Sequence, residues 1–155
     1  MPAPAPPARI EATIEINCSP KEVWQTLGDF ENVDVWAPAV SDSFRTTGEE
    51  IGVGSRRTVR YRHLFTMEQV VNEWLHGASL TYNVFKAPWP LRHFEESWTV
   101  TPSVSGSRVH TEVRYDLWFG AVGRLVNGLF TRHVLLFEMR SGQQGLKQAV
   151  ERGQA

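Results

Sequence analysis

The stretch RVHTEVRYDLWF, residues 108–119, alternates without a break, with Val109, Thr111, Val113, Tyr115, Leu117 and Phe119 on one face. A period of two over this length is that of a half-buried strand. Immediately afterwards the period changes. From about residue 121 to 151, Val122, Leu125, Val126, Leu129, Phe130, His133, Leu136, Phe137 and Arg140 recur at three and four, and Leu146 and Val150 continue the face. That spacing predicts one long helix with its apolar stripe along these positions. Gly123, Gly128, Gly142 and Gly145 weaken it, so a kink or break is expected near Ser141–Gly142.

Upstream, the chain reads as strands joined by short turns. SRRTVRYR (55–62), FTMEQVVNEW (65–74), LTYNVFKA (80–87) and the run after Pro90 in PWPLRHFEESWTV (88–100) are strands; SDSFRTT (41–47) is a weaker one. Sequential strands with short connections argue for an antiparallel meander. At the N-terminal end RIEATIEI (9–16) alternates cleanly. A helix then starts at SPKEVWQTLGDF (19–30), with Ser19 as cap, Pro20 in the first turn, Glu22 closing a capping box and Gly28 as stop. A second short helical turn is broken at Ala37–Pro38. The expected fold is therefore α+β: a curved antiparallel sheet of about six or seven strands wrapped around a long C-terminal helix, with two short helices after the first strand. Residues 1–8 read as a disordered proline-rich lead and 9–151 as one domain.

Composition removes several function classes. The chain has 155 residues, 41% hydrophobic and 21% charged, with a formal net charge of -1. No bulk basic field points to nucleic acid or an anionic membrane. A run of 18 apolar residues is missing, so no integral membrane segment is expected. The N-terminal residues lack the pattern of a signal peptide, and the single cysteine, Cys18, fits a reducing, cytoplasmic setting. IGVGSR (51–56) is a hairpin turn and not a phosphate loop, because no helix follows it. No His, Cys, Asp or Glu pair has metal-ligand spacing, and neither metal nor cofactor is expected.

The order of elements, with INCSPKEVWQTLGDFENVDVWAPAV, GVGSRRTV, EQVVNEW and LTYNVFKAPWPLRHFEESWTVTP, resembles the START-like superfamily (SRPBCC, the helix-grip fold) over roughly residues 9–150. Within it the likeness is to the polyketide cyclase/dehydrase and lipid-transport group. The resemblance implies a concave sheet face turned toward the C-terminal helix, a cavity between them, and chemistry that needs no cofactor. The fold hosts carriers, cyclases, hydrolases and sensors, so it does not choose an activity.

On that template Phe94, Glu96, Trp98 and Val100 look inward and Glu95 outward. A carboxylate between two aromatics needs a partner or a raised pKa. Arg57 shares a face with Val59 and Tyr61, and Glu68 on the next strand is placed to meet it across the hairpin. A polar cluster of Arg57, Glu68 and Glu96 is expected; its alternative is a structural ion pair at the rim, or a frame shifted by one residue at a bulge. His133 is the histidine on the helix stripe, a candidate general base or a packed core histidine. His63, His76, His93 and His110 fall in turns or on outward positions. Trp36, Tyr82, Phe94, Trp98, Tyr115, Phe130 and Phe137 should converge between sheet and helix, as pocket wall or as core. Trp89, flanked by prolines, marks the cavity mouth or an exposed contact residue.

Three functions fit. The first is binding of a small hydrophobic or aromatic ligand, such as a lipid or polyketide-like metabolite. The second is a cyclase or dehydratase using Glu96 or His133 as acid/base and a tyrosine as donor. The third is a protein-interaction module, which would have a sealed core and an exposed apolar patch.

Overall fold

The structure, a computed structural model, describes residues 7–48, 50–62 and 65–153. His63 and the lead up to residue 6 lie outside the described residues. Strand β1 (Ala8–Ile16) pairs antiparallel with β7 (Gly106–Leu117), from Ala8 opposite Tyr115 to Ile16 opposite Ser107. Between them run β2 (Val40–Arg45), β3 (Arg56–Tyr61), β4 (Thr66–Leu75), β5 (Ser79–Lys86) and β6 (Leu91–Ser103). They complete a seven-stranded antiparallel sheet in the order β1-β7-β6-β5-β4-β3-β2. Register shifts between Glu68 and Gln69, between Val71 and Glu73 on β4, and between Leu91 and His93 on β6 bend the sheet.

Helix α1 (Pro20–Leu27) begins at the expected capping box: the Glu22 amide donates to Ser19 Oγ and the Ser19 amide to Glu22 Oε2. It buries Val23, Trp24 and Leu27. The second short helix is a single 3-10 turn, Val33–Val35. The C-terminal helical segment has three parts: α2 (Gly120–Val126), a π-helical turn (Asn127–Thr131) and α3 (Arg132–Arg152). Among the described residues, no helix is long and apolar enough to cross a membrane.

Two expectations for this helix are corrected. The irregularity is not at Ser141–Gly142, where α3 runs through unbroken, but at the π turn upstream. The buried stripe also differs. Leu146 and Val150 are buried as expected, but the inward positions before them are Met139, Gln143 and Gly145, while Val122, Leu125, Val126, Leu129, Phe130, His133, Phe137 and Arg140 are exposed. The stripe already faces outward ahead of the π turn, at Val122 and Leu125, so the expected spacing marks the side of the segment turned away from the sheet. The buried Gln143 side chain fixes the observed phase: its amide donates to the Ala12 carbonyl and to Thr111 Oγ1, both at 2.9 Å.

Two apolar clusters fill the space between sheet and helices. One joins Ile16, Trp24, Leu27, Val109, Leu146 and Val150; the other joins Met67, Phe94, Val113, Tyr115 and Met139. Cys18 packs in the first, where burial raises its thiol pKa, and it is not an activated nucleophile.

Candidate functional site

Between the concave sheet face, the segment Val33–Val40 and the first half of α3 lies a cavity of about 340 Å³. Alternation puts its sheet wall together. Arg57, Val59 and Tyr61 come from β3, Met67 and Gln69 from β4, Tyr82 from β5, Phe94, Glu96 and Trp98 from β6, and Val113 from β7. Trp36 closes one side, its ring edge-on to Trp98 at a centroid distance of 5.5 Å. Val134, Leu135, Glu138 and Met139 close the helix side. The cavity means that the sealed core expected of a pure interaction module is not what this chain builds.

Its polar groups gather on the sheet wall. Arg57 is buried; its Nε donates to Gln69 Oε1 at 2.7 Å and its Nη1 to the Phe30 carbonyl at 2.5 Å. The guanidinium carbon lies 4.0 Å from the centre of the Phe30 ring and 5.0 Å from that of Tyr82. Glu96 stands directly opposite Tyr82 in the β5–β6 pairing, accepts from the Tyr82 hydroxyl, and accepts from Trp98 Nε1. A carboxylate between Phe94 and Trp98 is thus provided for locally: its oxygens are held by the indole and phenol beside it. Desolvation raises the Glu96 pKa against the lowering effect of those bonds and of the Arg57 charge. Burial also lowers the Arg57 pKa and raises those of Tyr61 and Tyr82. Glu138, across the cavity on α3, is raised by its partial burial.

The raised Glu96 value has a consequence for stability. In the interval between the ordinary glutamate value, about 4.3, and its own, the folded state binds a proton that the unfolded state does not, so stability falls as pH rises through it. Glu96→Gln removes this loss. Denaturant melts should show the variant gaining on the wild type as pH climbs, by about 1.4 kcal/mol for each unit by which the native value is raised. A difference that stays flat with pH would contradict the assignment.

Of the residues singled out in the sequence, Trp36, Arg57, Tyr61, Tyr82, Phe94, Glu96 and Trp98 line the cavity. Glu68 does not. In the β3–β4 register Arg57 faces Gln69 and Thr58 faces Glu68, so Glu68 points to the outer face, where it pairs with Lys86 at 3.0 Å. Tyr115 is buried in the core and its hydroxyl donates to Asn127 Oδ1. Phe130, His133 and Phe137 are on the exposed side of the helical segment, and His133 is not among the residues that line the cavity. Trp89 is also exposed, edge-on to Phe119 at 6.4 Å and away from the cavity wall.

Residues that sequence reasoning missed are Gln69, Phe30 and Glu138. Gln69 is signalled by Met67-x-Gln69-x-Val71, in which two apolar residues bracket it on the inward face. Phe30 acts through its carbonyl and ring, which no sequence pattern marks. Strand pairing also unites Glu11, His110 and Glu112, whose ligand atoms lie within 4.8 Å of one another. This group is on the outer face of β1 and β7, and its carboxylates are taken by Arg9 and Arg114 in ion pairs of 2.6–2.8 Å.

Over residues 7–151 the chain matches the family described as polyketide cyclase/dehydrase and lipid transport. Solved structures with this architecture include XoxI from Bacillus cereus, 20% identical with a TM-score of 0.77 over 96% of this chain and 99% of that one. A protein from Thermus thermophilus is 18% identical, with a TM-score of 0.75 over 96% and 100%. The di-domain ARO/CYC StfQ, from the steffimycin biosynthetic pathway, is 16% identical, with a TM-score of 0.78 over 97% of this chain and 53% of that one. At these identities the likeness is one of fold. No curated protein matches the chain.

Proposed function

The chain belongs to the polyketide cyclase/dehydrase and lipid-transport family, and we propose that its cavity binds a small hydrophobic or aromatic molecule, a lipid or polyketide-like metabolite. Trp36, Phe94 and Trp98 supply apolar contact, while Arg57, Tyr61, Tyr82 and Glu96 orient the polar end. The observation that carries this reading is a cavity of about 340 Å³ in which aromatic walls meet one clustered set of polar groups. Pockets for small organic ligands have this size and this distribution of polarity.

A second reading, a cofactor-independent cyclase or dehydratase, is favoured by one pairing. Glu96, with a raised pKa, lies in hydrogen-bond contact with the Tyr82 hydroxyl and within the field of Arg57. In such a reaction Glu96 takes the proton next to a ligand carbonyl, Arg57 stabilises the oxyanion that forms, and Glu96 returns the proton to a departing hydroxyl, which leaves as water.

Native mass spectrometry of freshly purified protein, paired with a denatured spectrum and a solvent extract, tests the binding reading. A discrete additional mass released on denaturation is the expected result. Bare protein that also fails to take up fluorescent hydrophobic probes would overturn it. For the enzyme reading, turnover of the extracted compound class should lose its pH dependence in Glu96→Gln; unchanged turnover would remove Glu96 from the chemistry.

A further inference from the structure

We propose that the helical segment from Trp118 to Phe137 is a docking face for an anionic lipid bilayer. Its apolar residues are turned away from the protein. Val122, Leu125, Leu129, Phe130 and Phe137 are each more than 60% exposed, on consecutive turns of the segment. Isolated exposed apolar residues are ordinary, but a contiguous face of this kind marks an interaction surface. The face extends beyond the helix, because Phe119 meets Trp89 from the β5–β6 loop at 6.4 Å and Trp118 is half exposed beside them.

The charges around the face select the partner. Residues 118–140 hold three arginines, Arg124, Arg132 and Arg140, against one acidic residue, Glu138, in a chain whose net charge is -1. All three arginines are exposed, and none forms an ion pair among the described residues; Arg132 donates only to the Arg9 carbonyl, at 3.1 Å. Arg92 flanks the same face, 5.9 Å from the Trp118 ring and paired with Asp116. An exposed apolar face of Leu, Phe and Trp edged by arginine is the composition of a helix that lies in a membrane interface, with its apolar side among acyl chains and its cations at anionic headgroups. A second copy of the chain fits this face less well, because a two-fold contact would set arginine-edged surfaces against each other. The face also reaches the cavity: Val134 lines the cavity and is half exposed on the same segment. Docking itself does not depend on what the cavity holds.

Flotation with vesicles tests this, using equal parts phosphatidylcholine and phosphatidylglycerol against phosphatidylcholine alone. The protein should float with the anionic vesicles, release as salt is raised, and show a blue-shifted tryptophan emission when bound. The pair Leu125→Asp and Leu129→Asp should lower partitioning at least about tenfold, because each apolar side chain lost from the bilayer removes a buried surface. Arg124→Gln with Arg140→Gln should lower it roughly fivefold for each arginine on anionic vesicles only. Thermal unfolding and uptake of a hydrophobic probe report whether the variants keep fold and cavity, and the arginine pair serves if the aspartate pair does not fold. No flotation at low salt, or equal flotation by wild type and both variant pairs, would overturn the proposal. So would a dimer in sedimentation that the aspartate pair converts to monomer, because a second copy would then occupy the face.

Discussion

Arg57→Ala should lower the free energy of unfolding by about 3–5 kcal/mol, the range for removing one member of a buried charged network. The substitution leaves the Phe30 carbonyl and the Gln69 amide oxygen without the donors that now reach them at 2.5 and 2.7 Å, and each orphaned buried group costs about 1–3 kcal/mol. It also empties the space between the Phe30 and Tyr82 rings and removes the positive charge that acts on Glu96. The opposing effect is real: the Arg57 pKa is lowered by burial, so holding the cation there is itself unfavourable. Arg57→Met with Gln69→Met should therefore recover the part of the loss that comes from the emptied space and from Gln69, while the Phe30 carbonyl stays unpaired. It should not recover uptake of a ligand bearing a carbonyl or carboxylate. Denaturant melts read the first quantity and ligand titration the second. Arg57→Ala with wild-type stability and wild-type uptake would remove Arg57 from both roles.

The elements are legible where their periods are clean. The alternation of residues 108–119, the capping box at Ser19–Glu22 and the change of period after residue 119 correspond to β7, α1 and the C-terminal helical segment. The exception is that β7 ends at Leu117, and Phe119 is an exposed left-handed residue ahead of the helix. Alternation puts Glu96 with Phe94 and Trp98, and Arg57 with Val59 and Tyr61, and the family resemblance turns the Glu96 face inward; all of them line the cavity. Glu68 is misplaced although its own strand is legible: alternation groups Met67, Gln69 and Val71 inward and Glu68 outward, and the unshifted β3–β4 pairing sets Arg57 opposite the neutral Gln69. Which side of the helical segment meets the sheet is not legible. Val122 and Leu125, ahead of the π turn at Asn127–Thr131, are already exposed, and Phe130, His133 and Phe137 continue that side. Their apolar spacing is real, but it belongs to an outward face. A hydrophobic periodicity identifies a face that avoids water and does not say whether protein or another apolar phase covers it.

Gly142 and Gly145 lie three residues apart on α3, and the same substitution should act on them with opposite sign. Helix propensity alone favours alanine over glycine by about 1 kcal/mol at either position. At Gly142 a Cβ would find Trp36 and Trp98 at 3.9 Å, ordinary contact, so Gly142→Ala should keep that gain. At Gly145 a Cβ would fall inside contact distance of the Trp36 carbonyl oxygen and 2.8 Å from Pro38 Cδ. Neither atom belongs to a flexible side chain, so α3 or the segment carrying Trp36 must move. Overpacking of this kind costs about 1–3 kcal/mol and more against rigid backbone, which outweighs the propensity gain. Gly145→Ala should therefore lose about 1–2 kcal/mol net. The moved segment is also the wall that sets Trp36 against Trp98, so probe uptake by the cavity should weaken along with stability. Thermal melts and probe titrations of the two variants side by side decide it. Equal stabilisation by both would mean that α3 does not sit against the Trp36–Pro38 backbone, and the cavity wall on that side would have to be redrawn.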